Sequence, residues 1–212
     1  MRLCILLLLL SFSLQAQRAG GWIGGDLQLN LFERTSTTED QVGENRQSSF
    51  SLSMRPYWLK QSSESSAWGL ALLLGFNSSQ NSANGNENQT KSYSIGPGIF
   101  WRFRVFQAEN SGLQLGLEPG FSTILSLGSR PQNNNARDVN RTFSLNGLIS
   151  PYLFFPFSER FRGLIRARGF GISYSFFRSN RAETNRTTLS DLEVNLNPAT
   201  WTFGLEWNIS GK

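Results

Sequence analysis

The sequence predicts an all-β protein, an eight-stranded antiparallel up-and-down transmembrane β-barrel. Eight segments alternate between apolar and polar side chains, the period of strands that face two different environments. Long and short connections alternate between these segments. Aromatic residues make up 13% of the 212-residue chain, although its mean hydropathy is only −0.30. That combination is expected when only every second strand residue meets lipid.

The N-terminal segment has the composition of an export signal. Arg2 precedes an apolar run over residues 3–10, and Ser, Gln and Ala residues follow up to Ala16. The run is too short to span a bilayer as a helix. We therefore predict a secretory signal peptide over residues 1–16 and an outer-membrane β-barrel domain over residues 17–212.

The first half of the mature chain contains four predicted strands. Their bounds are residues 21–32, 48–59, 68–76 and 92–106. The fourth has an apolar set of odd positions from Tyr93 to Val105, whereas its even positions include Arg102 and Arg104. The apolar face of each strand is predicted to contact lipid and the mixed face to line the lumen.

The second half contains the other four strands, and two of them change phase. Their bounds are residues 112–126, 142–155, 161–177 and 191–209. In the seventh strand the apolar positions are odd before Gly169 and even from Phe170 onward, which predicts a β-bulge near Gly169 or Gly171. In the eighth strand the apolar parity changes at Asn197 and Pro198.

The connections between these segments alternate in length without exception. The long ones cover residues 33–47, 77–91, 127–141 and 178–190, and the short ones cover residues 60–67, 107–111 and 156–160. Outer-membrane barrels have long loops outside the cell and short turns in the periplasm. The long connections are also rich in Asn, Ser, Thr and Gln, so we predict four long extracellular loops.

Charged side chains point into the lumen if the apolar faces contact lipid. An eight-stranded barrel has room inside for little besides side chains, and buried charges must be paired. The sequence therefore predicts a salt-bridge network that fills the lumen, while an anion pathway or small anionic-ligand pocket lined by the surplus arginines stays open as an alternative. The predicted luminal residues are Asp26, Arg55, Arg102, Arg104, Glu118, Arg162, Arg166, Arg168, Glu193 and Glu206.

Aromatic side chains form a second set, mostly near the ends of the predicted strands. Trp and Tyr are enriched at the two lipid–water boundaries of membrane proteins. We therefore predict an aromatic girdle, with ordinary core packing as the alternative. The predicted girdle residues are Trp22, Trp58, Trp68, Tyr93, Trp101, Trp201 and Trp207.

The residue types exclude several kinds of chemistry. Histidine is absent, which excludes Ser–His and Cys–His catalysis and histidine-based metal sites. The only cysteine, Cys4, lies in the predicted signal peptide. Basic residues are scattered rather than clustered, which disfavours nucleic-acid binding. We predict no enzymatic activity, no cofactor and no metal.

Several motifs point to one family. They are Gly20-Gly-Trp-Ile-Gly-Gly-Asp, the pattern Ser-x-Phe-Ser-Leu-Ser before Tyr57, Trp68-Gly-Leu-Ala-Leu-Leu-Leu-Gly, Tyr93-Ser-Ile-Gly-Pro-Gly-Ile-Phe, and residues 192–205. In these motifs the chain resembles the small outer-membrane β-barrel proteins of Bacteroidota, with porin-family or PorT-like barrel domains. The resemblance implies their fold and location, and scaffold motifs of this kind say little about function.

The predicted function is that of a monomeric outer-membrane protein that serves as a structural or surface-interaction platform. Its predicted partners are outer-membrane lipids and a surface ligand or envelope protein. Three alternatives stay open: a narrow anion-preferring channel, a lipid-modifying enzyme, and a soluble lipocalin-like ligand carrier, which also has eight strands.

Overall fold

The chain forms ten β-strands in a computed structural model that describes residues 21–37, 44–83, 86–109, 111–131, 137–167, 169–181, 185–195 and 201–209. The predicted signal peptide lies outside these residues. The strands are β1 (Trp22–Thr37), β2 (Glu44–Gln61), β3 (Ser66–Ala83), β4 (Asn86–Gln107), β5 (Gln114–Pro131), β6 (Arg137–Pro156), β7 (Phe161–Ala167), β8 (Phe170–Arg181), β9 (Asn185–Asn195) and β10 (Trp201–Asn208). Within the described ranges no helix is long and apolar enough to cross a membrane.

The ten strands close into an eight-stranded antiparallel barrel. From β1 to β6, each strand pairs with the next one in the chain. Strands β7 and β8 pair one after the other with β6, so together they form the seventh position of the barrel wall. Strands β9 and β10 form the eighth, since they pair with β8 and β7 respectively. Pairing of β10 with β1 closes the wall, and the predicted fold class is confirmed.

A β-bulge separates β7 from β8. Tyr152 and Ile149 of β6 face Arg166 and Phe170, so two residues of β6 oppose three residues of the neighbouring strand. The backbone N–H of Gly169 donates a hydrogen bond of 3.3 Å to the hydroxyl of Ser150. The extra residue restores a continuous apolar outer face, as the change of parity predicts. The second change of parity, at Asn197 and Pro198, lies outside the described residues.

The two ends of the barrel differ in their connections. At one end, the turn end, short connections over residues 62–65, 108–113 and 157–160 join the strands, and Trp22 pairs with Asn208. At the other, the hairpin end, the segments predicted as long loops are largely paired strand. Strands β3 and β4 stay paired up to Ala83 and Asn86. The loop prediction is wrong here because a polar composition reports solvent exposure, whereas ladder hydrogen bonds come from the backbone.

The distribution of apolar and charged side chains in the barrel is the reverse of that in a water-soluble protein. Its outer face exposes large apolar side chains around the whole wall, including Leu31 (73% exposed), Phe121 (65%) and Phe203 (63%). Its interior buries Asp26 and Glu118. Monomeric soluble proteins rarely expose contiguous apolar patches above a few hundred Å². A closed antiparallel barrel with this surface matches the hydrocarbon of a bilayer.

Candidate functional site

A network of seven charged side chains fills the lumen near the turn end. The sequence places these residues on the luminal parity of six strands, and the barrel brings them into contact. The network contains four guanidinium groups and three carboxylates, so its net charge is +1. Its members are Asp26 on β1, Arg55 on β2, Arg102 on β4, Glu118 on β5, Arg162 and Arg166 on β7, and Glu206 on β10.

Glu118 is the centre of the network and is 3% exposed. Its carboxylate accepts hydrogen bonds from three arginines: Nη1 of Arg55 at 2.7 Å, Nε of Arg102 at 2.6 Å, and Nη1 of Arg166 at 3.1 Å. Charge-assisted hydrogen bonds of this length are about twice as strong as neutral ones. Removal of this carboxylate would therefore leave three guanidinium groups facing each other.

Glu206 is the second acceptor and is 1% exposed. Its Oε2 accepts a hydrogen bond of 2.6 Å from Nε of Arg162, and its Oε1 accepts hydrogen bonds from Nη1 of Arg102 and from the hydroxyl of Tyr57. Because Arg102 contacts both Glu118 and Glu206, it joins the two halves of the network.

Asp26 completes the network on the hairpin side. Its Oδ1 accepts a hydrogen bond of 3.0 Å from Nη2 of Arg166, and its Oδ2 lies 3.5 Å from Nη1 of Arg55. Both arginines also donate to Glu118. The three carboxylates are thus bridged by guanidinium groups, and each carboxylate contacts at least two of them.

Aromatic rings pack against the arginines of the network. The guanidinium carbon of Arg102 lies 4.8 Å from the ring centre of Tyr57 and 5.0 Å from that of Phe154. That of Arg162 lies 3.9 Å from the ring centre of Trp22. Stacking of this kind favours a desolvated cation.

The lumen is filled across this layer. Phe100, Leu59 and Leu164 are each 1% exposed, and Arg102 is 3% exposed. These apolar side chains pack with the aromatic rings around the network. Side chains therefore occupy the cross-section that a channel would need for water and ions.

Most side chains that line the lumen on the hairpin side of the network are small or polar. Hydroxyl groups of Ser144 and Ser175 lie 2.9 Å apart, and Nδ2 of Asn30 donates a hydrogen bond of 3.2 Å to the hydroxyl of Ser51. A cavity of about 100 Å³ lies between this region and the network, large enough for water. Solvent thus has room on the hairpin side of the network.

Two predicted luminal residues, Arg104 and Glu193, do not join the network. Arg104 lies beyond it at the turn end, where its backbone N–H donates to the carbonyl oxygen of Ser65 at 2.8 Å. Glu193 lies on β9 opposite Ser173 and is exposed. Neither forms an ion pair with any residue that the structure describes. Both share the luminal parity of the network but lie too far along their strands to reach it. Arg168 lies outside the described residues.

The predicted girdle splits into two belts of rings. At the turn end, the rings of Trp58 and Trp68 are 5.2 Å apart and edge-on, and Trp101 pairs with Trp68 across the β3–β4 ladder. Trp207, on β10, is 60% exposed at the same end. At the hairpin end, the rings of Tyr93 and Phe76 are 5.2 Å apart, and Phe50 is next to Phe76.

The spacing of the belts fits a bilayer. Tyr93 and Trp101 lie eight residues apart on β4, about 27 Å along an antiparallel strand. Because the strands of such barrels tilt by about 35–45°, the height along the membrane normal is about 19–22 Å, a few ångströms less than the roughly 25 Å apolar band of outer-membrane barrels.

Two girdle residues lie elsewhere. Trp22 shares the luminal parity of Asp26, packs against the buried core and stacks under Arg162, so its assignment to the girdle is corrected. Position near a strand end does not decide the direction of a side chain, whereas parity does. Trp201 is exposed on the outer face but lies at the far end of β10 from Trp207, opposite Ala167.

Four aromatic residues of the lumen were not predicted as part of the site. Their signal in the sequence is an aromatic residue at a polar-face position near the turn end of a strand. They are Tyr57, Phe100, Tyr152 and Phe154.

The described part of the chain offers no metal site. Those residues contain no group of three or more His, Cys, Asp or Glu side chains that could hold a metal ion. The carboxylates of the network are instead occupied by arginines.

Comparisons with solved structures show a likeness of fold. No family model and no curated protein matches the chain. A solved structure, that of a major outer membrane protein from Thermus thermophilus, is similar over 88% of this chain and 98% of its own, with 10% sequence identity and a TM-score of 0.45. At that level of similarity the strand pairings described above, rather than the neighbour, carry the assignment of the fold.

Proposed function

We propose that the chain is an outer-membrane β-barrel that does not conduct and whose role is to hold four β-hairpins outside the membrane. The observation that carries this proposal is the charge network, because it fills the lumen with paired side chains at the turn end. Outer-membrane location is supported by the closed barrel with an apolar outer face. The relationship to Bacteroidota barrels stays a prediction from the scaffold motifs.

The hairpins support the second part of the proposal. Beyond the Phe76–Tyr93 pair, the β3–β4 ladder continues from Asn77–Ser92 to Ala83–Asn86, about 24 Å of strand. Apart from Ala83, the residues on both faces of this extension are polar. A ribbon without an apolar face belongs in water, and its length suits contact with a surface ligand or envelope protein.

Conductance in a planar lipid bilayer tests the proposal. We expect no steady current through the wild-type barrel at modest voltage. The double variant Arg102→Ser and Glu206→Ser removes one positive and one negative group from the centre of the network without changing its net charge. Because it removes two large side chains from the filled part of the lumen, it is expected to pass ions. A steady, anion-selective current through the wild type would contradict the proposal and favour the channel alternative.

A further inference from the structure

A groove of about 930 Å³ crosses the outer wall of the barrel where β10 closes onto β1. Its size is at the upper end of the range for small-molecule pockets. The groove extends from Phe157 at the turn end to Leu29 and Trp201. Most of its lining faces outward beside the seam where β10 pairs with β1, and Asp26, Gln28 and Arg55, which have luminal parity, also contribute to it.

The register of the sheet explains why the outer surface is recessed here. Gly25 pairs with Pro56 on one side and with Leu205 on the other, and Leu205 pairs with Gly163. All four positions have outward parity, so three small outward residues share one row across the wall. The row above it carries the large side chains of Met54, Leu27, Phe203 and Ile165.

The groove is apolar along its rim and open to lipid. Leu205 and Phe203 are 53% and 63% exposed. The ring of Phe157 lies over Gly163, where an added Cβ would be 2.9 Å from the ring, and it stacks on Phe161 at 5.7 Å. The groove thus ends in aromatic rings at the boundary of the apolar band and is continuous with the surface that lipid covers.

We propose that this groove binds one acyl chain of a phospholipid in the leaflet at the turn end. A flexible hydrocarbon chain can fill an open groove whose lining is mainly apolar. Between lipid and protein there is no hydrophobic driving force in a bilayer, so close van der Waals packing in the groove is what would distinguish this chain from the surrounding lipid. The proposal rests on the proposed membrane location.

Gly25 offers a variant that fills the groove. A Cβ on Gly25 would lie 3.5 Å from Cα of Pro56 and 3.6 Å from the carbonyl oxygen of Arg55, which are ordinary contact distances. Gly25→Leu is therefore expected to leave the wall intact and to occupy the floor of the groove. Thr123→Leu is the matched control, because it adds the same side chain to the outer face of β5, away from the groove.

The test uses the full barrel in vesicles that contain a phosphatidylethanolamine with a photoactivatable group in one acyl chain, and maps the crosslinked residues by mass spectrometry. We expect crosslinks to concentrate on Met54 and Phe203 rather than on Leu125 and Leu145 of the opposite wall. Gly25→Leu should lower groove crosslinking about threefold, the effect of losing about five carbon–carbon contacts. Thr123→Leu should leave it unchanged.

Two results would overturn the proposal. Crosslinks spread evenly over the outer face would show ordinary lipid contact, and crosslinks between two barrels at Met54 or Phe203 would show that a second copy occupies the groove. The crosslink map of the wild-type barrel distinguishes these outcomes even where a variant folds poorly. Failure of the wild-type barrel to insert into the vesicles would instead overturn the membrane location on which both proposals rest.

Discussion

Glu118→Gln should destabilise the barrel more than the same substitution at any exposed carboxylate. The variant raises the net charge of the network from +1 to +2 and weakens hydrogen bonds at 2.6, 2.7 and 3.1 Å. Removal of one member of a buried ion pair costs about 3–5 kcal/mol. Since the glutamine oxygen still accepts a hydrogen bond, we expect a loss of about 3 kcal/mol in the free energy of unfolding.

Urea unfolding of the inserted barrel, followed by tryptophan fluorescence, measures this loss. With a slope of about 1–3 kcal/mol per molar urea, the midpoint should fall by about 1–3 M. The matched control is Glu193→Gln, which changes the same residue type on the same luminal face. Because Glu193 is exposed and unpaired with any described residue, its change should be within about 0.5 kcal/mol.

A second variant separates charge balance from loss of packing. Glu118→Gln combined with Arg166→Gln removes one group of each sign and returns the network to +1. The double variant should recover part of the stability lost by the single one. Equal midpoints for Glu118→Gln and Glu193→Gln would refute the reasoning, because they would show that the network contributes nothing to folding.

Two further predictions concern the wall and the hairpins. Leu72 lies midway between Trp68 and Phe76 on the outer face of β3, and Leu72→Arg should lower the stability of the inserted barrel by about 2–4 kcal/mol. Ser53→Arg on the exposed luminal face should be mild. Equal urea midpoints for the two variants would argue against a membrane wall. Replacement of residues 80–89 by a two-residue turn should leave the heat-shifted mobility of the barrel on denaturing gels unchanged, because this polar part of the hairpin lies beyond the Phe76–Tyr93 pair. Loss of the shift would show that it supports the barrel.

The sequence predicts strands and faces well because alternation carries that information directly. Parity alone assigns Asp26, Arg55 and Glu118 to the lumen, and the change of parity near Gly169 predicts the bulge. Both are local properties, which neighbouring residues reveal without knowledge of the rest of the fold. The closed barrel follows from the number of such strands and the alternation of their connections.

Height along the barrel could not be predicted in the same way. Arg104 and Glu193 have the luminal parity but lie beyond and above the network, because register and tilt, which alternation does not report, decide which residues are level. For Trp22, position near a strand end predicts the girdle, whereas its parity predicts the lumen. The hairpin extensions could not be predicted from composition, because polar residues outside the lipid form ladder hydrogen bonds as readily as apolar residues do.

The charge network also ties the speed of folding to closure of the barrel. Its contacts join positions far apart in the chain: 149 residues separate Tyr57 from Glu206, 140 separate Asp26 from Arg166, and 104 separate Arg102 from Glu206. No isolated hairpin can form these contacts, and topologies dominated by such non-local pairs fold slowly. Until β10 supplies Glu206, an open sheet at membrane depth carries guanidinium groups with too few partners. We therefore expect half-closed intermediates to lie higher in free energy than both the unfolded and the closed states. Insertion should then proceed as a single cooperative step that ends when the last strand pairs at the seam.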